Sequence, residues 1–577
     1  MGPTKKKLWI VSERLRERLK TPAGCRSATS RRKAISITSQ SRSLIEIVLF
    51  ACAMLFTWGA SATAAQAIPD HPNIVLILSD DMGYGDPSSY GDKKILTPNL
   101  DQVASDGIKF TDAHSPSSVC TPTRYGLLTG RYAWRTWNGN RTLWSDDPLL
   151  VETDRLTLPK LLKKFQYRTA IIGKWHLGFG APGTPGWDDL KGPNYNMTLE
   201  PGPLEVGFDY FFGIPHVGED PYFYIENHHV VGLKADDPVQ LVLDQNHKHS
   251  YLERTGEPDY HFTGGAAAKY KSDELGVELT SRAVKWIENQ QQEPFFLYFA
   301  HRTPHAPIDP NPVFRNTSKI GPYGDFITEL DWSVGEVVKA LARKGFTDRT
   351  IVIIASDNGG VTDYAESVAE INGHRLNGQF FGQKGQVYEG GNRIPLIIKW
   401  PGVVSPGKTS DALVSLTDVV ATVADMLKYD LPLNEAEDSF SFLHVLRATE
   451  ATHPVRNDLI LDSWNDVFGI REGEWKLIFG ADGGGVKSES VQDPSVRRLY
   501  NLRSDPGERV NVYDSHPKLV ACLSWHFREI QFNGRSRSLR DSGSPCKDDG
   551  NPVKADSNHG QADTKLPAPR STPDYYW

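Results

Sequence analysis

The chain has 577 residues, of which 39% are hydrophobic and 23% are charged, and this composition excludes a disordered chain. Five cysteines over that length exclude a small disulfide-stapled scaffold. Residues 1–67 contain 12 Lys and Arg and 3 Asp and Glu, which gives this segment a net charge of +9. Since the formal net charge of the whole chain is −7, residues 68–577 carry −16. An acidic body of this kind excludes a general nucleic-acid-binding protein, but it is compatible with a local basic pocket for an anionic substrate.

The N-terminus has the pattern of an export signal. Residues 44–58 form an apolar run that follows a basic stretch and precedes Ala65-Gln66-Ala67, a small-x-small pattern typical of signal-peptidase cleavage. Because the run is short for a bilayer span, we expect residues 1–67 to be removed; an uncleaved membrane anchor is the alternative. The mature chain would then be periplasmic or secreted, or lysosomal or extracellular in a eukaryote, with no stable membrane span. Of its three cysteines, Cys522 and Cys546 could pair in an oxidising compartment, which leaves Cys120 over.

Short apolar runs alternate with helical patterns along the middle of the chain. The runs are typical of strands buried on both faces and lie at residues 73–78, 169–172, 295–300, 351–355 and 395–399. The helical patterns lie at residues 98–105, 122–129, 158–165, 275–289, 323–344 and 416–427. Strands that alternate with helices predict an α/β fold with a large, mainly parallel mixed sheet sandwiched by helices. We expect the long Gly- and Pro-rich loops at 178–207 and 356–393 to be functional.

The pattern changes near residue 455. Short predicted strands lie at residues 459–463, 468–471, 475–479 and 498–501. Three glycines at 483–485 interrupt them, and a helical pattern at 517–530 follows. We therefore expect a catalytic domain over residues 68–454 and a smaller C-terminal α+β subdomain with an antiparallel sheet over residues 455–530. Residues 531–577 are rich in Ser, Pro, Asp and Lys, and this composition predicts a disordered tail.

Polar and charged side chains follow four of the predicted strands. They are Asp80 with Asp81, Lys174 with His176, His305, and Asp357 with Asn358. Ligands of open α/β sheets bind beyond the carboxyl ends of the strands, so parallel strands would bring these groups to one crevice. The Asp-Asp and Asp-Asn pairs offer only oxygen ligands, which suit hard cations such as calcium or magnesium. Turn capping is the alternative for a single Asp-Asp pair, but the second pair favours a metal site.

Cys120 stands at the predicted start of a helix. Pro122 suits the first helical turn and Gly130 suits the helix end. Four roles are open for Cys120: a buried structural side chain, a thiolate nucleophile of lowered pKa, a metal thiolate, and a precursor that is modified after synthesis. The Cys-x5-Arg pattern of tyrosine phosphatases is not matched, because only three residues separate Cys120 from Arg124.

The run Cys120-Thr-Pro122-Thr-Arg124 resembles the Cys-x-Pro-x-Arg signature of the type I sulfatases, in which the cysteine is oxidised to formylglycine. Further segments that resemble this family follow in the family's order, at residues 73–86, 97–101, 127–131, 173–178, 304–307, 356–359, 385–391 and 499–508. The combination is most similar to the arylsulfatase and N-acetylgalactosamine-6-sulfatase branch of the alkaline phosphatase superfamily. The resemblance implies an alkaline-phosphatase-like fold and hydrolysis of a sulfate monoester, either an aryl sulfate or a sulfated carbohydrate.

The resemblance also implies two cofactors. One is formylglycine, derived from Cys120. The other is a metal ion, calcium rather than magnesium, held by Asp80, Asp81, Asp357, Asn358 and the modified Cys120.

The resemblance implies catalytic roles for the basic residues. Arg124 would orient the formylglycine hydroxyls, and Lys174 and Lys384 would hold sulfate oxygens. His176 would assist breakdown of the sulfated intermediate. His305 would protonate the leaving alcohol, with Lys384 as a further donor.

The implied partners are a sulfated small molecule or glycan and a formylglycine-generating enzyme. Val217 stands where some arylsulfatases have a polar residue, so the resemblance does not extend to the substrate. One alternative is a phosphonate or phosphate monoester hydrolase with the same fold and formylglycine. Another is a non-catalytic protein that binds sulfated glycans and keeps Cys120 unmodified.

Overall fold

A computed structural model describes residues 71–91, 93–243, 260–362, 372–448, 454–480, 497–537 and 546. The predicted export signal lies outside these residues, as do the three glycines at 483–485 and most of the predicted tail. The described strands are, in chain order, β1 (Asn73–Asp80), β2 (Ile108–Phe110), β3 (Ala113–His114), β4 (Arg168–Lys174), β5 (Trp187–Asp188), β6 (Gly192–Pro193), β7 (Tyr210–Ile214), β8 (Ile225–Glu226), β9 (His229–Val230), β10 (Gln240–Leu243), β11 (Tyr260–Thr263), β12 (Phe295–Pro304), β13 (Thr350–Ser356), β14 (Leu396–Lys399), β15 (Lys408–Ser410), β16 (Val414–Ser415), β17 (Asp458–Asp462), β18 (Phe468–Glu472), β19 (Trp475–Ile478) and β20 (Arg498–Asn501).

The α-helices of the described residues cover most of the predicted helical patterns. They are α1 (Pro98–Ser105), α2 (Cys120–Thr129), α3 (Leu158–Lys163), α4 (Leu275–Glu288), α5 (Pro322–Arg343), α6 (Glu389–Asn392), α7 (Asp418–Met426), α8 (Leu443–Leu446) and α9 (Pro517–Phe532). None of them is both long enough and apolar enough to cross a membrane. The described residues belong to one compact unit, Ala67–Trp577.

A ten-stranded mixed sheet forms the centre of the fold, in the order β15-β2-β14-β13-β1-β12-β4-β7-β8-β9. The five strands β13, β1, β12, β4 and β7 are mutually parallel. The predicted strand at 395–399 is present as β14, but it runs antiparallel to β13. The prediction of a large, mainly parallel mixed sheet is confirmed.

The central strands are buried on both faces, and this explains their continuous apolar sequence. Along β1, Ile74, Leu76 and Leu78 face one apolar core, whereas Val75 and Ile77 face the other. Helices α2, α3 and α7 cover the first face, and α1, α4 and α5 cover the second. The sheet is therefore sandwiched between two helical layers, as predicted.

A second sheet forms the C-terminal part of the described chain. Its antiparallel order is β17-β18-β19-β20, and α9 packs on it around a separate apolar core. A disulfide joins Cys522 of α9 to Cys546. The predicted antiparallel C-terminal sheet is confirmed.

Candidate active site

The carboxyl ends of four parallel strands bring the predicted residues together. Asp80 ends β1, Lys174 ends β4, His305 follows β12 and Asp357 follows β13. Ser79 pairs with Ser356 in the β1–β13 register, so Asp80 and Asp357 begin on neighbouring strands. The predicted polar and charged side chains therefore lie together at the carboxyl ends of the parallel strands.

Backbone geometry at these strand ends is specialised. Asp81 has a φ of 66°, and its N–H donates to Asp357 Oδ1 at 3.1 Å. Gly173 has a φ of 122°, and an added Cβ would meet the Ala300 carbonyl oxygen at 1.9 Å. A side chain at position 173 would therefore push apart β4, which carries Lys174, and β12, which leads to His305.

Cys120 is the first residue of α2 and is almost fully buried. The helix ends at Gly130, whose φ of 67° is left-handed, as the sequence predicted. Cys120 Sγ lies 3.5 Å from Asp80 Oδ1. Burial, followed by the nearby Asp357 carboxylate, raises the pKa of the Cys120 thiol, which disfavours the thiolate nucleophile considered from the sequence.

The loop before Cys120 is held by the C-terminal sheet. Ser118 donates from its backbone N–H and from Oγ to the carbonyl of Asp462, at 3.0 and 3.1 Å. Gly385 N–H donates to the Ser118 carbonyl at 2.8 Å, and Trp464 N–H donates to the Gly385 carbonyl at 3.1 Å. Hydrogen bonds from the end of β17 and the residues after it thus connect the loop before Cys120 with the loop that carries Lys384.

Three cationic side chains alternate with the carboxylates. Lys174 Nζ lies 3.0 and 2.8 Å from the two oxygens of Asp80. Arg124 donates from Nε and a terminal nitrogen to Asp357 Oδ2, at 3.1 and 2.7 Å. Lys384 Nζ lies 2.8 Å from both oxygens of Asp81. Each buried charge therefore has an opposite charge beside it, which offsets part of its desolvation cost.

These charges shift the pKa values of the buried groups in different directions. Burial opposes ionisation of Asp80, but Lys174 and further cations outweigh it and hold the pKa of Asp80 well below its usual range. Burial and the neighbouring Asp80 raise the pKa of Asp357 to about 6. Burial opposes protonation of Lys384, but Asp81 and other acidic groups raise its pKa well above the usual value.

The donor atoms fit a hard cation. The Oδ1 atom of Asn358 is buried and has no hydrogen-bond partner among the described residues, while Nδ2 donates to Asp81 Oδ1 at 2.7 Å. Ligand atoms of Asp80, Asp81, Cys120 and His305 all lie within 4.8 Å of one another. Carboxylate oxygens and this unpaired amide oxygen together form a ligand set that suits calcium or magnesium.

The two predicted histidines have different surroundings. His305 is about 20% exposed, its Nδ1–H donates to the Ala306 carbonyl at 2.6 Å, and its Nε2 lies 3.7 Å from Asp81 Oδ2. Burial and Lys384 lower the pKa of His305 to about 4. His176 is buried, and its Nε2–H donates to the Leu143 carbonyl at 3.0 Å. Its Nδ1 has no hydrogen-bond partner among the described residues.

His216 lies beside His176, and the sequence analysis did not name it. It follows β7, the fifth parallel strand, and its ring centroid lies 5.7 Å from that of His176. Burial, followed by Lys174 and His305, lowers the pKa of His216 to about 3. Val217, which the sequence analysis singled out instead, packs in the apolar core. The sequence pattern did not predict β7, so nothing in it placed His216 beyond a strand end.

Comparison with known proteins finds two matching family models and several similar enzymes. Residues 72–429 match the family model described as Sulfatase, and residues 378–530 match one described as N-sulphoglucosamine sulphohydrolase, C-terminal. An N-acetylgalactosamine-6-O-sulfatase of Bacteroides thetaiotaomicron is 36% identical over 78% of this chain and 92% of its own length. Human arylsulfatase A is 32% identical over 78% of this chain and 85% of its own length.

Solved structures share the fold. A Bacteroides thetaiotaomicron structure concerned with "metabolism of multiple glycosaminoglycans" is 34% identical, with a TM-score of 0.73 over 80% of this chain and 100% of its own. The phosphonate monoester hydrolase of Agrobacterium radiobacter, at 16% identity and a TM-score of 0.53, shows a shared fold alone. By its family match and its relatives, the chain belongs to the sulfatase family and is a sulfuric ester hydrolase with an alkaline-phosphatase-like fold.

Proposed function

We propose that this enzyme hydrolyses a sulfate monoester by means of a formylglycine derived from Cys120 and a calcium ion at the adjacent carboxylates. The observation that carries the proposal is the position of Cys120 Sγ, 3.5 Å from Asp80 Oδ1 at the first turn of α2. Around it lie three carboxylates and three cationic side chains that are matched in pairs. An unmodified, buried thiol of raised pKa would be a poor nucleophile in this position.

Formylglycine and calcium would supply the chemistry that the side chains lack. Formylglycine hydrate supplies two hydroxyls on one carbon, one for attack on sulfur and one to expel sulfate, and calcium supplies positive charge to the sulfate oxygens. Asp80, Asp81, Asp357 and Asn358 would hold the ion. Asn358 contributes the buried Oδ1 that has no hydrogen-bond partner among the described residues.

The cationic side chains would bind and stabilise the sulfate group. Lys174 and Lys384 contact Asp80 and Asp81 in the structure, so their ammonium groups lie at the crevice where the anionic ester must bind. Arg124 is fixed by Asp357 and also donates to the Lys174 carbonyl at 3.1 Å, so it would orient the hydroxyls of residue 120. Removing one such interaction from a water-excluded site typically costs about 10²- to 10³-fold in rate.

Three further residues would move protons. Asp357, whose pKa is raised to about 6, is a suitable base for the attacking hydroxyl. His176 lies within electrostatic reach of Lys174 and Arg124, its Nδ1 is buried without a hydrogen-bond partner among the described residues, and it would assist expulsion of sulfate. His305 would protonate the leaving alcohol from Nε2, with Lys384 as a further donor. The bound anionic ester would stabilise the protonated imidazole that this role requires.

A sulfated carbohydrate is the substrate class that we propose to test first. Relatives named N-acetylgalactosamine-6-O-sulfatase and N-acetylgalactosamine-6-sulfatase, from Bacteroides thetaiotaomicron and mouse, are 36% and 33% identical to this chain. Arylsulfatase A of human is 32% identical, so aryl sulfates are the second class.

We also propose that the chain is exported and that residues 68–454 and 455–530 act as catalytic domain and C-terminal subdomain. The Cys522–Cys546 disulfide supports an oxidising compartment, because structural disulfides are rare in reducing cytosol. Mass analysis of the N-terminus of the secreted protein would test removal of residues 1–67.

The decisive assay uses protein that is co-expressed with a formylglycine-generating enzyme. Desulfation of N-acetylgalactosamine 6-sulfate, other sulfated sugars and aryl sulfates should require both the aldehyde at residue 120 and a divalent ion. Phosphate and phosphonate esters in the same screen should react more slowly. Faster reaction of those esters would make this enzyme a phosphoester or phosphonate ester hydrolase instead.

A further inference from the structure

A buried arginine stands next to the proposed proton donor. Arg302 lies near the end of β12, is 1% exposed, and its guanidinium carbon lies 4.6 Å from the ring centroid of Phe326 in α5. No carboxylate among the described residues lies within ion-pair distance of it; burial lowers its pKa, and the more distant Glu329 carboxylate only partly offsets this. A buried cation without a carboxylate partner is costly, so its contacts need an explanation other than charge pairing.

Its terminal nitrogens donate to backbone carbonyls. One donates to the carbonyl of Ser272 at 3.0 Å. The other donates to the carbonyl of Pro307 at 2.7 Å and to that of His305 at 3.4 Å. The Arg302 carbonyl in turn accepts from His305 N–H at 3.1 Å. Arg302 therefore contacts both ends of the three-residue segment 305–307.

The backbone of segment 305–307 sets the orientation of the His305 imidazole. The Ala306 carbonyl, which lies between the two carbonyls held by Arg302, accepts from His305 Nδ1–H at 2.6 Å. That hydrogen bond directs Nε2 towards Asp81, at 3.7 Å. A contact chain thus runs from the guanidinium through the backbone to the ring nitrogen that faces the crevice.

We propose that Arg302 is a positioning residue that fixes the tautomer and direction of the His305 imidazole for proton transfer to the leaving alcohol. The inference rests on the proposed role of His305. A planar guanidinium holds two carbonyls at once, which a lysine ammonium on a flexible stem does less well. A misplaced donor can cost about 100-fold in rate even when the site is otherwise intact.

The test combines Arg302→Met with His305→Ala in a double-mutant cycle. Rates are measured on sulfate esters whose leaving groups span a wide pKa range, from nitrophenyl to alkyl or sugar esters. In the parent background, R302M should lose about 10- to 100-fold on poor leaving groups and little on nitrophenyl sulfate. In the H305A background, R302M should change no rate by more than about twofold, because the group that it positions is absent.

Two further variants keep the test decisive if R302M folds poorly. Arg302→Lys retains a buried cation and should give an intermediate rate loss with the same dependence on the leaving group. Arg456→Met removes another fully buried arginine, paired with Asp418 at 3.1 Å, and should lower the melting temperature without changing that dependence.

Two outcomes would overturn the inference. One is an equal rate loss from R302M with and without His305, and the other is an even loss across all leaving groups. The proposed acid role of His305 fails separately, if H305A loses rate evenly across all leaving groups. The double-mutant cycle would still report whether Arg302 acts through His305.

Discussion

Replacing Asp357 with alanine removes a buried carboxylate whose two oxygens have different partners. Oδ2 accepts two hydrogen bonds from Arg124, and Oδ1 accepts one from Asp81 N–H. D357A would leave the Arg124 guanidinium buried without this partner, and such losses typically cost about 3 to 5 kcal/mol. Asp80 Oδ1 remains 3.6 Å from Arg124, and repulsion between Asp80 and Asp357 disappears, so we expect a cost of about 3 kcal/mol.

The effect of D357A on activity should be larger than its effect on folding. The substitution removes a proposed metal ligand, a proposed base and the anchor of Arg124 together. We expect kcat/KM to fall by more than about 10³-fold, since the loss of a single electrostatic contact already costs about 10²- to 10³-fold. Elemental analysis should show loss of the tightly bound calcium or magnesium. Thermal unfolding, metal content and kcat/KM are measured on the same preparation.

Asp418→Ala is the matched control. Asp418 is fully buried and pairs with the buried Arg456 at 3.1 Å, away from the site. D418A should lower the melting temperature at least as much as D357A, and its metal content and kcat/KM below that temperature should stay near those of the parent. Full activity and metal content in D357A, or equal losses in D418A, would refute this reasoning.

Three other predictions concern single side chains. Cys120→Ser should fold normally and show at most one turnover, because a serine can accept sulfate but lacks the second hydroxyl that expels it; sustained multiple turnover would contradict this. His305→Ala should steepen the negative slope of log kcat/KM against leaving-group pKa, and equal slopes would remove His305 from the acid role. Burial raises the pKa of Glu329 to about 7, so the native state binds a proton more tightly than the unfolded state. The protonated side chain therefore contributes about 3 kcal/mol to the free energy of unfolding below the ordinary glutamate pKa, and this contribution is lost as the pH rises through 7. Glu329→Gln should raise the melting temperature relative to the parent at pH 8 but not at pH 4, and an equal change at both pH values would contradict this.

The sequence pattern predicted the central strands well, and the physical reason lies in their burial. Strands such as β1 and β12 are apolar on both faces, and their ends are marked by Asp80 and by the polar segment after Ala300. Because parallel strands end at one edge, the predicted residues could be placed in one crevice without knowledge of tertiary contacts.

Other features depend on contacts that no local pattern contains. The antiparallel direction of β14 follows from its pairing with β13 and β2, not from its own apolar residues. The lowered pKa of His305 results from burial and from Lys384, about eighty positions away in sequence. Arg302 is one of several polar residues that follow the apolar run at 295–300, and no local pattern contains its contacts with the 305–307 backbone.

The most direct test of the central claim joins mass spectrometry to kinetics. Preparations with different extents of conversion are made by varying co-expression of a formylglycine-generating enzyme, and the fraction of aldehyde in the Cys120 peptide is measured for each. We predict that kcat for sulfate ester hydrolysis rises in proportion to that fraction and extrapolates to zero without it. Sustained turnover by protein that contains only unmodified Cys120 would contradict the account.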